Sequence, residues 1–294
     1  MHYSESFDID NRNTFISKDT IIQAAELNIS ILKNNGIRIQ PASRIMQYCE
    51  YLKDCNRNPE NISLFINELI KYHQSQFELS IFNLILDQFK NICDIYPWSE
   101  YFQEMIGGDY FPQNDNINSR PRNKQFELYI GALLQQAGFK VNLEEPDLTF
   151  EIDNYIISLA AKRIKSENKI LKNAKNAINQ ISKNNINGII ALDISQVFNP
   201  ENNFLITLKE RAGLNYLEAI IETFTENYYA KIFKRAFNTN SFGLLIYATT
   251  LENENDLRTP KCSTKIMFLP LCNKNSKYYN VIKNLAIDIG KKLK

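Results

Sequence analysis

Apolar residues recur at helical spacing through most of the first hundred residues of this chain. The clearest of these segments, residues 20–35, stops at Gly36. A period of three to four residues gives each helix one apolar face, which indicates packing against a shared core. The sequence therefore predicts an all-helical N-terminal domain. The helices predicted in this region cover residues 20–35, 41–53, 60–72 and 76–95.

The composition changes between residues 107 and 123, where the chain reads GGDYFPQNDNINSRPRN. Gly, Pro, Asn and Asp in such density are typical of a linker or a domain boundary. We therefore predict a helical domain over residues 1–118 and a second domain over residues 119–294.

The second domain shows strand and helix patterns in alternation. A helix is predicted up to Gly138, and Asp153-Asn154 separates two β-rich segments as a hairpin turn would. The order α-β-β-β-α-β-α-β-α predicts an α/β fold, with a mixed sheet flanked by helices. The predicted helices are residues 122–137, 167–182 (capped by Ser166), 214–237 and 277–292, and the predicted strands are 139–143, 147–152, 155–164, 188–194 and 242–249.

Composition excludes several classes of protein and site. The net charge is +1, so any surface for nucleic acid must come from local clustering of charge. No apolar run approaches the roughly 20 residues that span a bilayer, and five scattered cysteines without a CxxC pair fit a cytoplasmic location. Only His2 and His73 are histidines, and we expect His73 at the surface. A histidine-rich zinc site and a Ser-His-Asp triad are therefore disfavoured.

Three residues within about 40 positions carry the candidate chemistry. Glu127 lies on the helix before the first strand of the second domain, and Asp147 follows Pro146 at the start of a strand. Lys162 lies near the end of the next strand. A hairpin between the two strands would bring Asp147 and Lys162 to the same edge of the sheet.

This arrangement resembles the PD-(D/E)xK superfamily of restriction-like nucleases and resolvases. The resemblance covers residues 122–193, about a quarter of the chain. It implies a restriction endonuclease-like α/β fold and a site that holds Mg²⁺, with Mn²⁺ as a second candidate. Carried over by position, Asp147, Glu127 and the backbone carbonyl of Ala161 would hold the metal ion, and Lys162 would position the attacking water.

The chain departs from the family pattern at one position. The acidic residue of the last motif falls on Ala160, so the motif reads PD…AxK. A site for a hard cation such as Mg²⁺ needs oxygen ligands, and this site has one carboxylate fewer. Glu145 and Glu151 are nearby acids that remain open as replacements.

Basic residues dominate the segment that follows Lys162. Seven lysines and arginines between residues 162 and 183 face one acidic residue, Glu167. Such a stripe suits contact with phosphates, and a solvated helix face is the alternative interpretation. The candidate nucleic-acid-binding residues are Arg163, Lys165, Lys169, Lys172 and Gln180, the last because it resembles a glutamine that some family members keep near the site.

Three functional hypotheses follow. The first is a metal-dependent nuclease that cleaves DNA, for which the resemblance implies a role in defence against foreign DNA. The second is a catalytically inactive protein of the same fold that binds nucleic acid or another protein. The third is a helical regulatory protein with an unrelated α/β domain. A partner protein or a second copy of the chain, bound through the N-terminal helices, is a further hypothesis.

Overall fold

The computed structural model describes residues 6–14, 17–57, 66–115, 119–203, 205–207, 211–254 and 260–292. These residues form a mixed sheet flanked by helices, which confirms the prediction of an α/β architecture. Within these ranges, every helix is either too short or too polar to cross a membrane.

The described strands pair into one sheet of eight strands. They are β1 (Phe7–Thr14), β2 (Val141–Asn142), β3 (Leu148–Ile152), β4 (Tyr155–Arg163), β5 (Gly188–Asp193), β6 (Leu205–Thr207), β7 (Ser241–Glu254) and β8 (Pro260–Pro270). Their order is β1-β8-β7-β5-β4-β3-β2, and β6 pairs with β7 beside this path. Strands β4, β5 and β7 run parallel at the centre, so their carboxyl ends meet at one edge.

Helices cover both faces of the sheet. They are α1 (Lys18–Asn34), α2 (Arg44–Arg57), α3 (Ile66–Phe89), α4 (Trp98–Met105), α5 (Arg120–Gln136), α6 (Ile170–Lys183), α7 (Ser195–Phe198), α8 (Ala212–Phe224), α9 (Ala230–Ala236) and α10 (Lys277–Lys292). Neighbouring residues of a strand point to opposite faces. Ala161 accordingly packs in the core shared by α1–α5 and α10, while Ala160 packs in the core shared by α6, α8 and α9.

The hairpin between β3 and β4 positions the candidate site. Asp153 and Asn154 both have positive φ, 49° and 64°, as a two-residue type I′ turn requires. Ile152 pairs with Tyr155 and Leu148 with Leu159, which confirms the predicted hairpin. Continuing the same register by one residue places Asp147 opposite Ala160.

The structure corrects the prediction in the N-terminal region. Residues Phe7–Thr14, expected in an all-helical segment, form a strand that pairs with β8, a strand that the sequence pattern did not predict. Two predicted helices, 60–72 and 76–95, are replaced by the single helix α3, and residues 58–65 lie outside the described ranges. His73, expected at the surface, lies within α3 and is fully buried.

The predicted boundary at residues 118 and 119 is crossed by shared packing. Phe89 of α3 and Leu148 of β3 both contact α5 where Gly131 leaves room; a Cβ atom there would lie 3.5 Å and 3.3 Å from them. One hydrophobic cluster contains residues from both sides of the boundary. The division into two domains stays a prediction.

Candidate active site

Asp147 is held at the end of the β3–β4 hairpin by two bonds to the neighbouring strand. Its Oδ2 atom accepts a hydrogen bond of 2.8 Å from the backbone N–H of Ala161. The same oxygen lies 2.9 Å from Nζ of Lys162. β3 pairs with β4 from Leu148 onward. At the position before it, the side chain of Asp147 accepts the hydrogen bond from the Ala161 N–H in place of a backbone carbonyl. The hairpin thus brings the acid and the lysine together, as predicted.

Glu127 reaches the same place from α5. Its Oε2 atom lies 2.6 Å from Nζ of Lys124, one helical turn earlier. That ammonium group also lies 3.6 Å from the ring centroid of Tyr101 on α4, within the range of a cation–π contact. Sequence reasoning missed Lys124 and Tyr101; the spacing of three residues between Lys124 and Glu127 was the only signal available for the lysine.

Burial sets the acidity of the two carboxyls. Burial and the nearby charge of Asp147 raise the pKa of Glu127 to about 7, against the opposing effect of Lys124 and Lys162. Burial also raises the pKa of Asp147, although Lys162 and the Ala161 N–H oppose this shift. Both carboxyl side chains are only 8% exposed. Burial is therefore the leading cause of both raised pKa values.

Ala160 lies where the family motif has an acid, and its surroundings are apolar. The side chain is completely buried in the core beneath α6, in the cluster that contains Ile170 and Ala174. Glu145 and Glu151, the alternative acids, are both exposed. Across the described ranges, no group of three or more His, Cys, Asp or Glu residues is placed to hold a metal ion.

The remaining donors at this edge fit one kind of metal site. Mg²⁺ commonly binds through one or two carboxylates, keeps several waters and completes its shell with substrate phosphates. Asp147 and Glu127 supply two carboxylates. The Ala161 carbonyl lies on the same edge of β4 as its N–H, which points to Asp147. This donor set fits a hydrated Mg²⁺ ion and does not fit a cage built from protein ligands alone.

The predicted nucleic-acid-binding residues fall into two groups. Arg163 is engaged with Asp115 at 2.8 Å, and Lys165 donates to the Asp115 carbonyl at 2.5 Å. Lys169 and Lys172 are exposed to solvent at the start of α6. Gln180 lies ten residues into that helix, about 15 Å along its axis from Ile170. Its Oε1 atom is buried and lacks a hydrogen-bond partner within the described ranges.

A buried charge network lies beside the site and was not predicted. Glu78 on α3 forms ion pairs with Arg44 and Arg122, both buried. Burial raises the pKa of Glu78, but Arg122 and Arg44 outweigh burial and lower it to about 2. Arg122 also pairs with Asp115, which links this network to Arg163 at the end of β4. These residues are far apart in sequence, so spacing gave no signal for them.

Comparisons of this chain with protein-family models, with curated proteins and with solved structures found no match. The candidate site therefore rests on its own geometry.

Proposed function

We propose that this chain is a metal-dependent nuclease that cleaves phosphodiester bonds of DNA. The observation that carries the proposal is the bond between Nζ of Lys162 and Oδ2 of Asp147, made beside the buried carboxyl of Glu127. Two carboxylates suit Mg²⁺, and the resemblance to PD-(D/E)xK nucleases implies that the lysine beside them positions the attacking water. The β3–β4 hairpin explains why Asp147 and Lys162 lie close together.

The charges at the site favour joint binding of metal and substrate. Asp147 is paired with Lys162, and Glu127 with Lys124. A divalent cation at the carboxylates would compete with both ammonium groups. Each lysine side chain is 20% exposed and can turn toward a phosphate. We therefore propose an exchange in which the carboxylates take the cation while the lysines take the DNA phosphate, so that each ligand strengthens binding of the other.

Each protein group has a separate task in this proposal. Bound Mg²⁺ would neutralise charge on the phosphate and lower the pKa of a coordinated water. Asp147 is oriented by the Ala161 N–H, so its carboxylate needs no rearrangement to act as a ligand. Lys162 holds water or phosphate oxygen by donating hydrogen bonds from Nζ. Exposed Lys169 and Lys172 contact the DNA backbone beyond the scissile phosphate.

A second candidate is a DNA-binding protein of this fold without catalysis. It is favoured by Ala160, whose completely buried position excludes a third carboxylate from the site. It is also favoured by the lysine partners, because each carboxylate already has its charge balanced. Both candidates predict DNA binding, and only the first predicts metal-dependent cleavage.

Cleavage of plasmid and single-stranded DNA across a titration of Mg²⁺ and Mn²⁺ distinguishes the two candidates. Wild type should cleave slowly at millimolar metal, and Mn²⁺ should serve better because it binds such ligands more tightly. The double variant Asp147→Asn/Lys162→Met should be inactive; it removes both charges together, so that neither stays buried without its partner. Circular dichroism verifies that the variant is folded.

The exposed double variant Lys169→Glu/Lys172→Glu is the matched test of binding. It should weaken DNA binding and reduce its salt dependence while leaving the fold intact. Cleavage that persists in the Asp147→Asn/Lys162→Met protein would contradict the proposed site. Absence of cleavage by wild type at every metal concentration, with binding intact, would establish the second candidate.

A further inference from the structure

A half-open cavity lies next to the candidate active site, at the carboxyl ends of β4, β5 and β7. Its volume is about 100 Å³, and α3 and α5 form its two walls. The wall from α3 is one helical stripe at spacing i, i+3, i+4 and i+7. The wall from α5 is a stripe with the same spacing that begins at Arg122 and ends at Tyr129. The α3 stripe consists of Gln74, Phe77, Glu78 and Ile81.

The cavity contains charges that are already balanced. Arg122 is paired with Glu78. Arg163 is paired with Asp115, which does not line the cavity, and also lies 3.7 Å from Asp193. An anionic ligand such as a free phosphate would have to break these buried pairs, which opposes its binding. The cavity is therefore suited to an uncharged ligand.

Two polar groups of the cavity, Gln125 and Asp193, have acceptor capacity that remains for a ligand. Oε1 of Gln125 is buried without a hydrogen-bond partner in the described part of the chain, and the residue is 6% exposed. Its amide nitrogen is already committed to Glu78 at 2.7 Å. Asp193 adds a carboxylate that accepts hydrogen bonds from the backbone N–H and from the hydroxyl of Ser195, and its remaining lone pairs can accept from a ligand. A buried acceptor without a donor is unfavourable, so a ligand with N–H groups would satisfy both residues.

We propose that this cavity receives one unpaired nucleobase of the DNA substrate, and that it selects a base with an exocyclic amino group. The proposal rests on the proposed action on DNA. Two elements, α5 and β4, contribute residues to both the cavity and the candidate active site. Gln125 faces the cavity and Glu127 the active site, two residues apart on α5. Arg163 and Lys162 are adjacent on β4. Because adjacent strand residues point to opposite faces, a nucleotide with its base in the cavity would have to pass its backbone around the carboxyl end of β4 to reach Lys162.

The chemistry of the cavity favours cytosine among the four bases. Aspartate and glutamate accept hydrogen bonds from the N4 amino group of cytosine, and thymine has no amino group. The enclosed volume of about 100 Å³ is smaller than the roughly 150 Å³ of a cavity that holds benzene. A two-ring purine is therefore disfavoured, and a single-ring base would enter in part, with the rest in the open mouth of the cavity. Phe77 and Ile81 are partly exposed at the walls and offer the ring an apolar surface for stacking.

Binding of short single-stranded oligonucleotides in EDTA tests the proposal without requiring catalysis. The probes are thymidine oligonucleotides that carry cytosine, adenine, guanine, thymine or an abasic site at one central position, measured by fluorescence anisotropy. Wild type should bind the cytosine probe most tightly. Phe77→Ala, which removes a stacking surface, should weaken cytosine binding by about 5- to 100-fold and leave abasic binding unchanged. Ile81→Trp, which fills the cavity, should abolish the preference.

Tyr96→Ala, at an aromatic residue that is 74% exposed and lies outside the cavity, is the matched control and should keep the preference. Equal binding of all probes, a preference for a purine over cytosine, or a preference that survives both cavity variants would overturn the proposal. Absence of binding to every probe would overturn it too. A cytosine preference in a protein that never cleaves DNA would support the cavity while refuting the nuclease, so the two failures are distinguishable.

Discussion

Replacing Glu127 with glutamine is expected to stabilise the metal-free protein against unfolding at alkaline pH. Burial and the charge of Asp147 raise the pKa of this carboxyl from its ordinary 4.5 to about 7. Between these values the folded state holds a proton that the unfolded state has released, so stability falls as the pH rises through this window. Glutamine matches the protonated carboxyl in shape and has no proton to lose in this range.

The size of the effect follows from the change in pKa. Between pH 5 and pH 8, wild type should lose about 2–3 kcal/mol more unfolding free energy than the Glu127→Gln variant. The Glu127 side chain is only 8% exposed, so solvent screening reduces this value little. This free-energy difference already contains the effect of the ion pair with Lys124, because Lys124 opposes the rise in the pKa of Glu127.

Urea unfolding of both proteins at pH 5 and pH 8 in EDTA measures this difference. Glu50→Gln, at an exposed position of α2, is the matched control for the chemical exchange itself. A difference in stability between wild type and Glu127→Gln that is the same at both pH values would refute the reasoning. Repeating the measurement with Mg²⁺ connects it to function, since a cation bound at the carboxyl should restore wild-type stability at pH 8.

Two further changes test the surroundings of the site. His73 is buried, and burial lowers its pKa to about 3, so the free energy of unfolding should fall as the pH drops below 6.5. The variant His73→Gln should remove about 2 kcal/mol of this loss between pH 7 and pH 5, as measured by urea unfolding. Ala160→Glu should lower the unfolding free energy by about 3 kcal/mol or more, because it buries a carboxylate among apolar side chains. A stable Ala160→Glu protein with tighter Mg²⁺ binding would show instead that the position is open to the site.

The hairpin shows how much of the site the sequence could predict. Asp153 and Asn154 tolerate positive φ, and the flanking β-rich segments fix the strand pairing once the turn is known. The convergence of Asp147 and Lys162 follows from this local structure, which spans fewer than twenty residues. Local order of this kind can be derived from a sequence, because the turn alone decides which residues face each other.

The rest of the site depends on contacts between distant segments. Tyr101 meets Lys124 only because α4 packs beside α5, and Glu78 meets Arg122 across 44 positions of sequence. The wrong prediction for His73 has the same cause. Its polar neighbours in the sequence suggested a helix end, but burial of α3 is set by the helices that pack around it.

The N-terminal helices touch residues of the candidate site and of the cavity through two contacts. Tyr101 on α4 contacts the ammonium of Lys124, and that lysine opposes the rise in the pKa of Glu127. Glu78 on α3 binds the amide of Gln125, which leaves only the oxygen of that glutamine for a ligand. Burial is the largest cause of the raised pKa of Glu127, so a movement of α4 that uncovers Lys124 and Glu127 would lower that pKa. A partner that binds the N-terminal helices could therefore alter the charge of the active site from outside it.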